Sequence, residues 1–163
     1  MRTDDITKTL TRVLMELTDG PNPKGGVVLN TGDIGLLPTL DKLSAADASQ
    51  AVNGGATIAA HTQHLRYGLS LMNEWGQNGG NPFGNAKWDA AWQVSTVNDA
   101  DWQEIRNGLR HEVTRWREIL NAPREASTIE LMGMVGSLAH LAYHLGAIRQ
   151  IHRSARGPKE GTF

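Results

Sequence analysis

The chain contains no cysteine. This absence excludes disulfide bonds, thiolate metal ligands and a cysteine nucleophile, which leaves histidine and carboxylate side chains as the candidates for binding a metal ion. Acidic and basic residues are almost balanced, 17 against 16, so there is no electrostatic reason to expect binding to nucleic acid or to an anionic membrane. The sequence also lacks an apolar signal region after Met1 and an apolar run of about 18 residues, the length that a membrane span needs. We therefore expect a cytoplasmic protein with no nucleic-acid or membrane partner.

Strand patterns are nearly absent, and the short apolar run at residues 26–29 is the one β-like segment. Four stretches instead carry apolar residues at helical spacing and predict long helices at about residues 4–19, 57–75 and 98–120 and from 127 to beyond 151. A long connection follows the first helix, and a glycine-rich connection at 76–84 separates the second from the third. A chain of 163 residues is long enough to form one hydrophobic core and short for two domains, so we expect a single domain.

The predicted fold is therefore all-α: a single four-helix bundle spanning residues 1–163, with a flexible tail at 153–163. Within it we interpret Trp88, Trp92, Trp102 and Trp116 as packing residues, because aromatic rings bury large areas. Stacking of a substrate on these rings is the alternative function.

The most informative pattern is a pair of histidines, His140 and His144, four residues apart in the last predicted helix. This spacing places both imidazoles on one helical face, about 6 Å apart, which suits two ligands of one metal ion. The neighbouring residues are apolar, so buried ring nitrogens would need partners. His61 and His64, on the second helix, offer a third ligand, and periodicity does not decide between them. Three neutral imidazoles with open coordination positions are typical of a catalytic metal site.

Several segments resemble the DinB-like superfamily of metalloenzymes, also called YfiT-type proteins, and the resemblance covers most of the chain. It rests on residues 57–65, on the Trp88–Trp92 segment and above all on residues 140–151. The resemblance implies a homodimeric four-helix bundle that binds a divalent metal ion, nickel or zinc. It also assigns the ligands to His64, rather than His61, together with His140 and His144.

Characterised members of this superfamily transfer or isomerise groups with bacillithiol, mycothiol or glutathione. The resemblance therefore implies a metal-dependent enzyme that activates water or a low-molecular-weight thiol, either a thiol transferase or a hydrolase. Because the chain has no cysteine, the sulfur would arrive with the cosubstrate. Arg66 or Arg149 could attract the carboxylates of such a thiol, and Glu112 or Glu74 could act as acid or base. The alternative is a non-catalytic metal-binding or dimeric interaction protein with a vestigial site.

Overall fold

The computed structural model describes residues 3–122 and 125–158, and this part of the chain contains helices and no strand. Four long helices and three short ones make up the fold, so the prediction of an all-α protein is confirmed. In chain order, the helices are α1 (Thr3–Asp19), α2 (Leu36–Asp41), α3 (Ala45–Ala48), α4 (Ile58–Asn78), α5 (Trp88–Ala91), α6 (Asp99–Asn121) and α7 (Thr128–Ile151).

The long helices begin close to where the sequence predicts, because their starts are set by local chemistry. Two of their ends differ from the prediction: α4 runs about three residues further, and α7 does not continue past residue 151. Thr57, Asn98 and Ser127 lie immediately before α4, α6 and α7, and each side chain accepts a hydrogen bond from the backbone N–H three residues further on. These bonds satisfy N–H groups that have no partner within the helix. At the end of α1, Gly20 has a φ angle of 120°, a left-handed conformation that glycine adopts without strain.

The four long helices pack so that α4 contacts α6 and α7, and α1 contacts the same two helices. The core between them is formed mainly by leucines and by the fully buried rings of Trp102 and Trp116. Trp102 also donates a hydrogen bond of 2.8 Å from its indole N–H to the carbonyl of Leu43. For these two tryptophans the predicted packing role is confirmed.

Helix α7 is apolar on its outer side as well as on the side that faces the core. Ile129, Met132, Val135 and Tyr143 are all more than half exposed. By length and composition α7 is the one helix in the described part of the chain that could cross a membrane. A core helix can have the same composition, and α7 packs on α1 and α4.

The connection between α1 and α2 is organised by one carboxylate rather than by a strand. Glu16 accepts hydrogen bonds from the backbone N–H groups of Val27, Val28 and Leu29, at 2.9, 2.6 and 2.7 Å. The short β-like run at residues 26–29 forms no strand, and three of its N–H groups bond to a side chain instead. The sequence does not predict α2, because its six residues are too few to display a helical period.

The chain after α7 turns back on the fold. A 3₁₀ turn covers Arg153–Ala155, and the side chain of Ala155 is buried. His152 lies 3.2 Å from a carboxylate oxygen of Asp47. The flexibility predicted for residues 153–163 stays a prediction, and residues 159–163 of this segment lie outside the part that the structure describes.

Candidate metal centre

Three histidines from two helices converge at one point between α4 and α7. The Nε2 atom of His140 lies 2.9 Å from Nε2 of His64 and 2.9 Å from Nε2 of His144. The three nitrogens that could act as ligands all lie within 4.8 Å of one another. The structure thus brings together the three residues that the resemblance assigned, in a cluster that could hold a metal ion.

The hydrogen-bonding capacity of imidazole favours a cation at this point. A neutral imidazole offers one N–H and one lone pair, so Nε2 of His140 cannot form two well-directed hydrogen bonds to two other Nε2 atoms. Three lone pairs directed at a shared cation would satisfy all three nitrogens. Bonds of about 2.0–2.1 Å from a tetrahedral zinc ion to imidazole nitrogens place neighbouring ligand atoms about 3.3–3.4 Å apart. The two observed separations of 2.9 Å are shorter, so small movements of the rings would accompany binding of an ion.

His61, which the sequence left as an alternative to His64, takes a different position. Its Nδ1 atom lies 2.8 Å from Nδ1 of His144, the ring nitrogen of His144 that does not face His140. A hydrogen bond between these atoms would fix the orientation of His144 and leave its Nε2 lone pair free. Metal-binding histidines commonly have such a partner on their second nitrogen. His61 therefore assists His144 rather than replacing His64.

Two tryptophans border the cluster. The ring of Trp92 stacks on His64, with centroids 4.1 Å apart and planes inclined by 24°, and the ring of Trp88 lies 5.2 Å from the same histidine. The packing role predicted for Trp88 and Trp92 needs correction, because both rings lie beside the histidines and are only partly buried. Stacking also helps to hold His64, whose Nδ1 has no hydrogen-bond partner in the described part of the chain.

Burial keeps these imidazoles neutral. The side chains of His64 and His144 are 7% and 3% exposed. Burial, together with the neighbouring histidines, lowers the pKa of His64 to about 4 and that of His144 to about 3. Burial also lowers the pKa of His61 and of His140. The lone pairs that a metal ion requires are therefore available at neutral pH.

This burial predicts how the stability of the metal-free protein depends on pH. In the unfolded chain these histidines take up protons near pH 6.5, whereas in the folded protein they resist protonation until the pH is far lower. Protons therefore favour the unfolded state, and the free energy of unfolding should fall as the pH decreases below about 6.5. Urea unfolding in the presence of a chelator, between about pH 7 and pH 5, measures this slope.

The matched control for the pH series is the double variant His64→Gln, His144→Gln. It removes the two histidines whose pKa values are lowered most, so its stability should depend less steeply on pH over the same interval. An equal slope in the two proteins would contradict the assignment.

A cavity of about 580 Å³ opens directly beside the cluster. His64 and His140 form part of its wall, and the remainder comes from α4, from α7 and from the segment that leads into α5. Drug-sized ligands occupy pockets of about 300–1,000 Å³. A small molecule in this cavity would therefore contact the histidines.

The charged residues suggested by the sequence lie elsewhere. Arg66 pairs with Glu104 at 3.7 Å, and Arg149 donates a hydrogen bond of 2.9 Å to Asp33. The carboxylate of Glu112 accepts a hydrogen bond of 2.6 Å from Asn73. None of these side chains lines the cavity, and neither does the exposed Glu74. The expectation that Arg66 or Arg149 receives a thiol carboxylate, or that a glutamate acts at the site, is not supported.

His111 and the two tyrosines do not line the cavity. His111 is exposed on α6. The hydroxyl oxygen of Tyr67 accepts a hydrogen bond of 2.8 Å from the backbone N–H of Lys87. Tyr143 touches the ring of His144 with its own ring, at 5.0 Å between centroids, but its side chain is 72% exposed.

Comparison with known proteins adds no assignment. No protein-family model matches this chain. Searches of the curated proteins and of the solved structures also found no match. Membership of the DinB-like superfamily therefore stays a prediction. The features that bear on function are the histidine cluster and the cavity beside it.

Proposed function

We propose that this protein is an enzyme that depends on a divalent metal ion, nickel or zinc, held by His64, His140 and His144 within a four-helix bundle of the DinB-like kind. The observation that carries the proposal is the convergence of three imidazole nitrogens beside an apolar cavity, whose wall includes His64 and His140. A structural metal site is usually closed by four protein ligands, whereas a catalytic one leaves a position for water or substrate.

The protein side chains have separate tasks in this proposal. His64, His140 and His144 present neutral Nε2 atoms, and His61 orients the ring of His144 through the contact between their Nδ1 atoms. Trp92 covers one face of His64 and limits the access of water from that side. When bound, a divalent ion supplies Lewis acidity, which lowers the pKa of a coordinated water or thiol and yields a nucleophile near neutral pH.

The chain has no cysteine, so thiol chemistry requires a low-molecular-weight thiol as cosubstrate. Hydrolysis by an activated water uses the same three ligands and is the second reaction that this site supports. Homodimerisation and a cytoplasmic location stay predictions.

Turnover should depend on both the metal ion and the histidines. Protein prepared without a histidine tag, stripped with a chelator and reloaded with zinc or nickel, is expected to accelerate two kinds of reaction. One is the conjugation of a chlorodinitrobenzene with glutathione, bacillithiol or mycothiol, and the other is the hydrolysis of a nitrophenyl ester. We expect the stripped protein to be inactive, because the activated nucleophile requires the ion. The initial rate, measured by absorbance, tests this expectation.

The matched control is His111→Gln, which changes an exposed histidine remote from the cluster and should leave the rate unchanged. A reloaded protein that binds metal tightly but accelerates no reaction with any thiol or ester would contradict the enzyme proposal. It would favour the alternative, a non-catalytic metal-binding protein.

A further inference from the structure

We propose that the cavity beside the three histidines binds the uncharged, aromatic part of a small molecule, and that it selects against anionic compounds of the same shape. This molecule is a substrate only if the protein is the enzyme proposed above. Binding in the cavity does not require the metal ion, so the two proposals can be tested separately.

Aromatic rings dominate the cavity wall. Phe83 lies between two tryptophans, with its ring centroid 6.0 Å from that of Trp75 and 5.9 Å from that of Trp88. The planes of Phe83 and Trp88 are inclined by only 30°. Flat faces of this kind pack against another flat, apolar group. Met72 and Met132 complete the wall with flexible side chains that adapt to the shape of a ligand.

Glycines on α7 create the space for a ligand. A β-carbon at Gly133 would lie 2.9 Å from the Trp75 ring, so this glycine allows the ring to lie against the helix. A β-carbon at Gly136 would meet no atom within 4 Å, although Gly136 lines the cavity. The volume in front of Gly136 is therefore open and leads towards His140, one turn further along the helix.

The cavity offers no charge to a ligand. Among the described residues that line it, none is an aspartate, glutamate, lysine or arginine. Ser137 donates its hydroxyl proton to the carbonyl of Met134 at 2.7 Å, and the carbonyl oxygen of the Asn81 side chain accepts the N–H of Phe83 at 3.0 Å. An anionic group would thus lose its hydration without gaining a cationic partner, which is unfavourable.

The histidines supply the main polar end of an otherwise apolar space. A molecule with an aromatic part and one reactive polar atom fits this arrangement, because its ring can lie among Trp75, Phe83 and Trp88 while the polar atom faces His64 and His140. This geometry points to an uncharged aromatic compound as the ligand class. The guanidinium groups of Arg66 and Arg149 do not line the cavity and are paired with carboxylates.

The test uses two fluorescent probes that share one ring system. N-phenylnaphthylamine is neutral, and anilinonaphthalenesulfonate carries one negative charge. With metal-free protein, the neutral probe is expected to show enhanced fluorescence and to bind about tenfold or more tightly than the sulfonate. Equal affinities, a preference for the sulfonate or no binding of the neutral probe would overturn the proposal.

A pair of variants on α7 locates the binding site. Gly136→Leu places a side chain in the open volume and should weaken the neutral probe about tenfold or more. Gly146→Leu is the matched control, because a β-carbon there also meets no atom within 4 Å but Gly146 does not line the cavity. Both replace an exposed helical glycine, so circular dichroism should show the same helix content. If both variants bind the probe as the unaltered protein does, the assignment of the cavity is wrong.

A charged variant tests selectivity independently. Met132→Lys introduces a cation at an exposed position of the cavity wall and should shift the preference towards the sulfonated probe. An unchanged preference would contradict the role given to the absence of charge. If metal content or turnover fails while the neutral probe still binds and responds to Gly136→Leu, the proposed enzyme function fails and the cavity assignment stands.

Discussion

Replacing His140 by alanine is expected to abolish stoichiometric metal binding. Its Nε2 is the nitrogen that lies 2.9 Å from both of the other Nε2 atoms, so the substitution removes the centre of the cluster. Two imidazoles with water in the vacated position bind a divalent ion far more weakly than three. Elemental analysis of protein prepared without a histidine tag should give about one ion per chain before the substitution and little after it.

A graded series makes this test specific. His61→Phe removes the partner of His144 but none of the three ligands, so the affinity for metal should fall by about 10- to 100-fold while binding at saturating metal persists. His111→Gln changes an exposed histidine and should leave both affinity and content unaltered. Retention of one equivalent of metal by the His140→Ala protein would refute the ligand assignment, and equal losses in all three variants would point to nonspecific binding.

The second large effect concerns stability. Gly35→Ala should lower the free energy of unfolding by about 3 kcal/mol, the sum of conformational strain and overpacking. Gly35 has a φ angle of 72°, and a β-carbon there would lie 2.6–2.8 Å from backbone atoms at the end of α1. Backbone atoms cannot move aside as a flexible side chain can. Urea unfolding at neutral pH measures the loss.

Gly32→Ala is the control for this prediction, because it separates strain from collision. Gly32 also has a positive φ angle, 82°, but a β-carbon there would meet nothing within 4 Å. Its substitution should therefore cost only about 1 kcal/mol. If the two substitutions have the same effect, the close approach of residue 35 to the end of α1 does not contribute to stability.

The long helices could be predicted from the sequence because their determinants are local. Apolar residues recur at helical spacing, and Thr57, Asn98 and Ser127 satisfy the first N–H groups of α4, α6 and α7. Helix α2 could not be predicted in this way, since six residues do not display a period. The run at 26–29 has a β-like composition because valine favours strands, but its N–H groups bond to the side chain of Glu16, which lies 11 to 13 residues earlier on α1. Composition alone does not indicate that partner.

The candidate metal site likewise combines contacts that are fixed within one helix with contacts between separate segments. His140 and His144 could be paired from the sequence because one helix fixes their spacing. The stacking of Trp92 on His64 and the contact between His61 and His144 depend on how separate segments meet. The sequence did contain two signals: His61 precedes His64 by three residues on the same helix, and Trp88 and Trp92 lie four residues apart after a glycine-rich connection. Neither signal indicates which residue the side chains of His61 and Trp92 contact.

The cluster joins two helices that are far apart along the chain, since His140 lies 76 positions after His64. Those helices are already held together by the core, which includes Leu65 and Leu69 of α4 and Leu138 and Leu141 of α7. The conformational entropy of closing this long loop is therefore lost when the chain folds. Binding of a metal ion causes little further loss of entropy. In a classical zinc finger, by contrast, the ion is required for folding. We therefore expect the metal-free protein to stay folded, so that a metal ion can be bound and removed repeatedly without unfolding the protein.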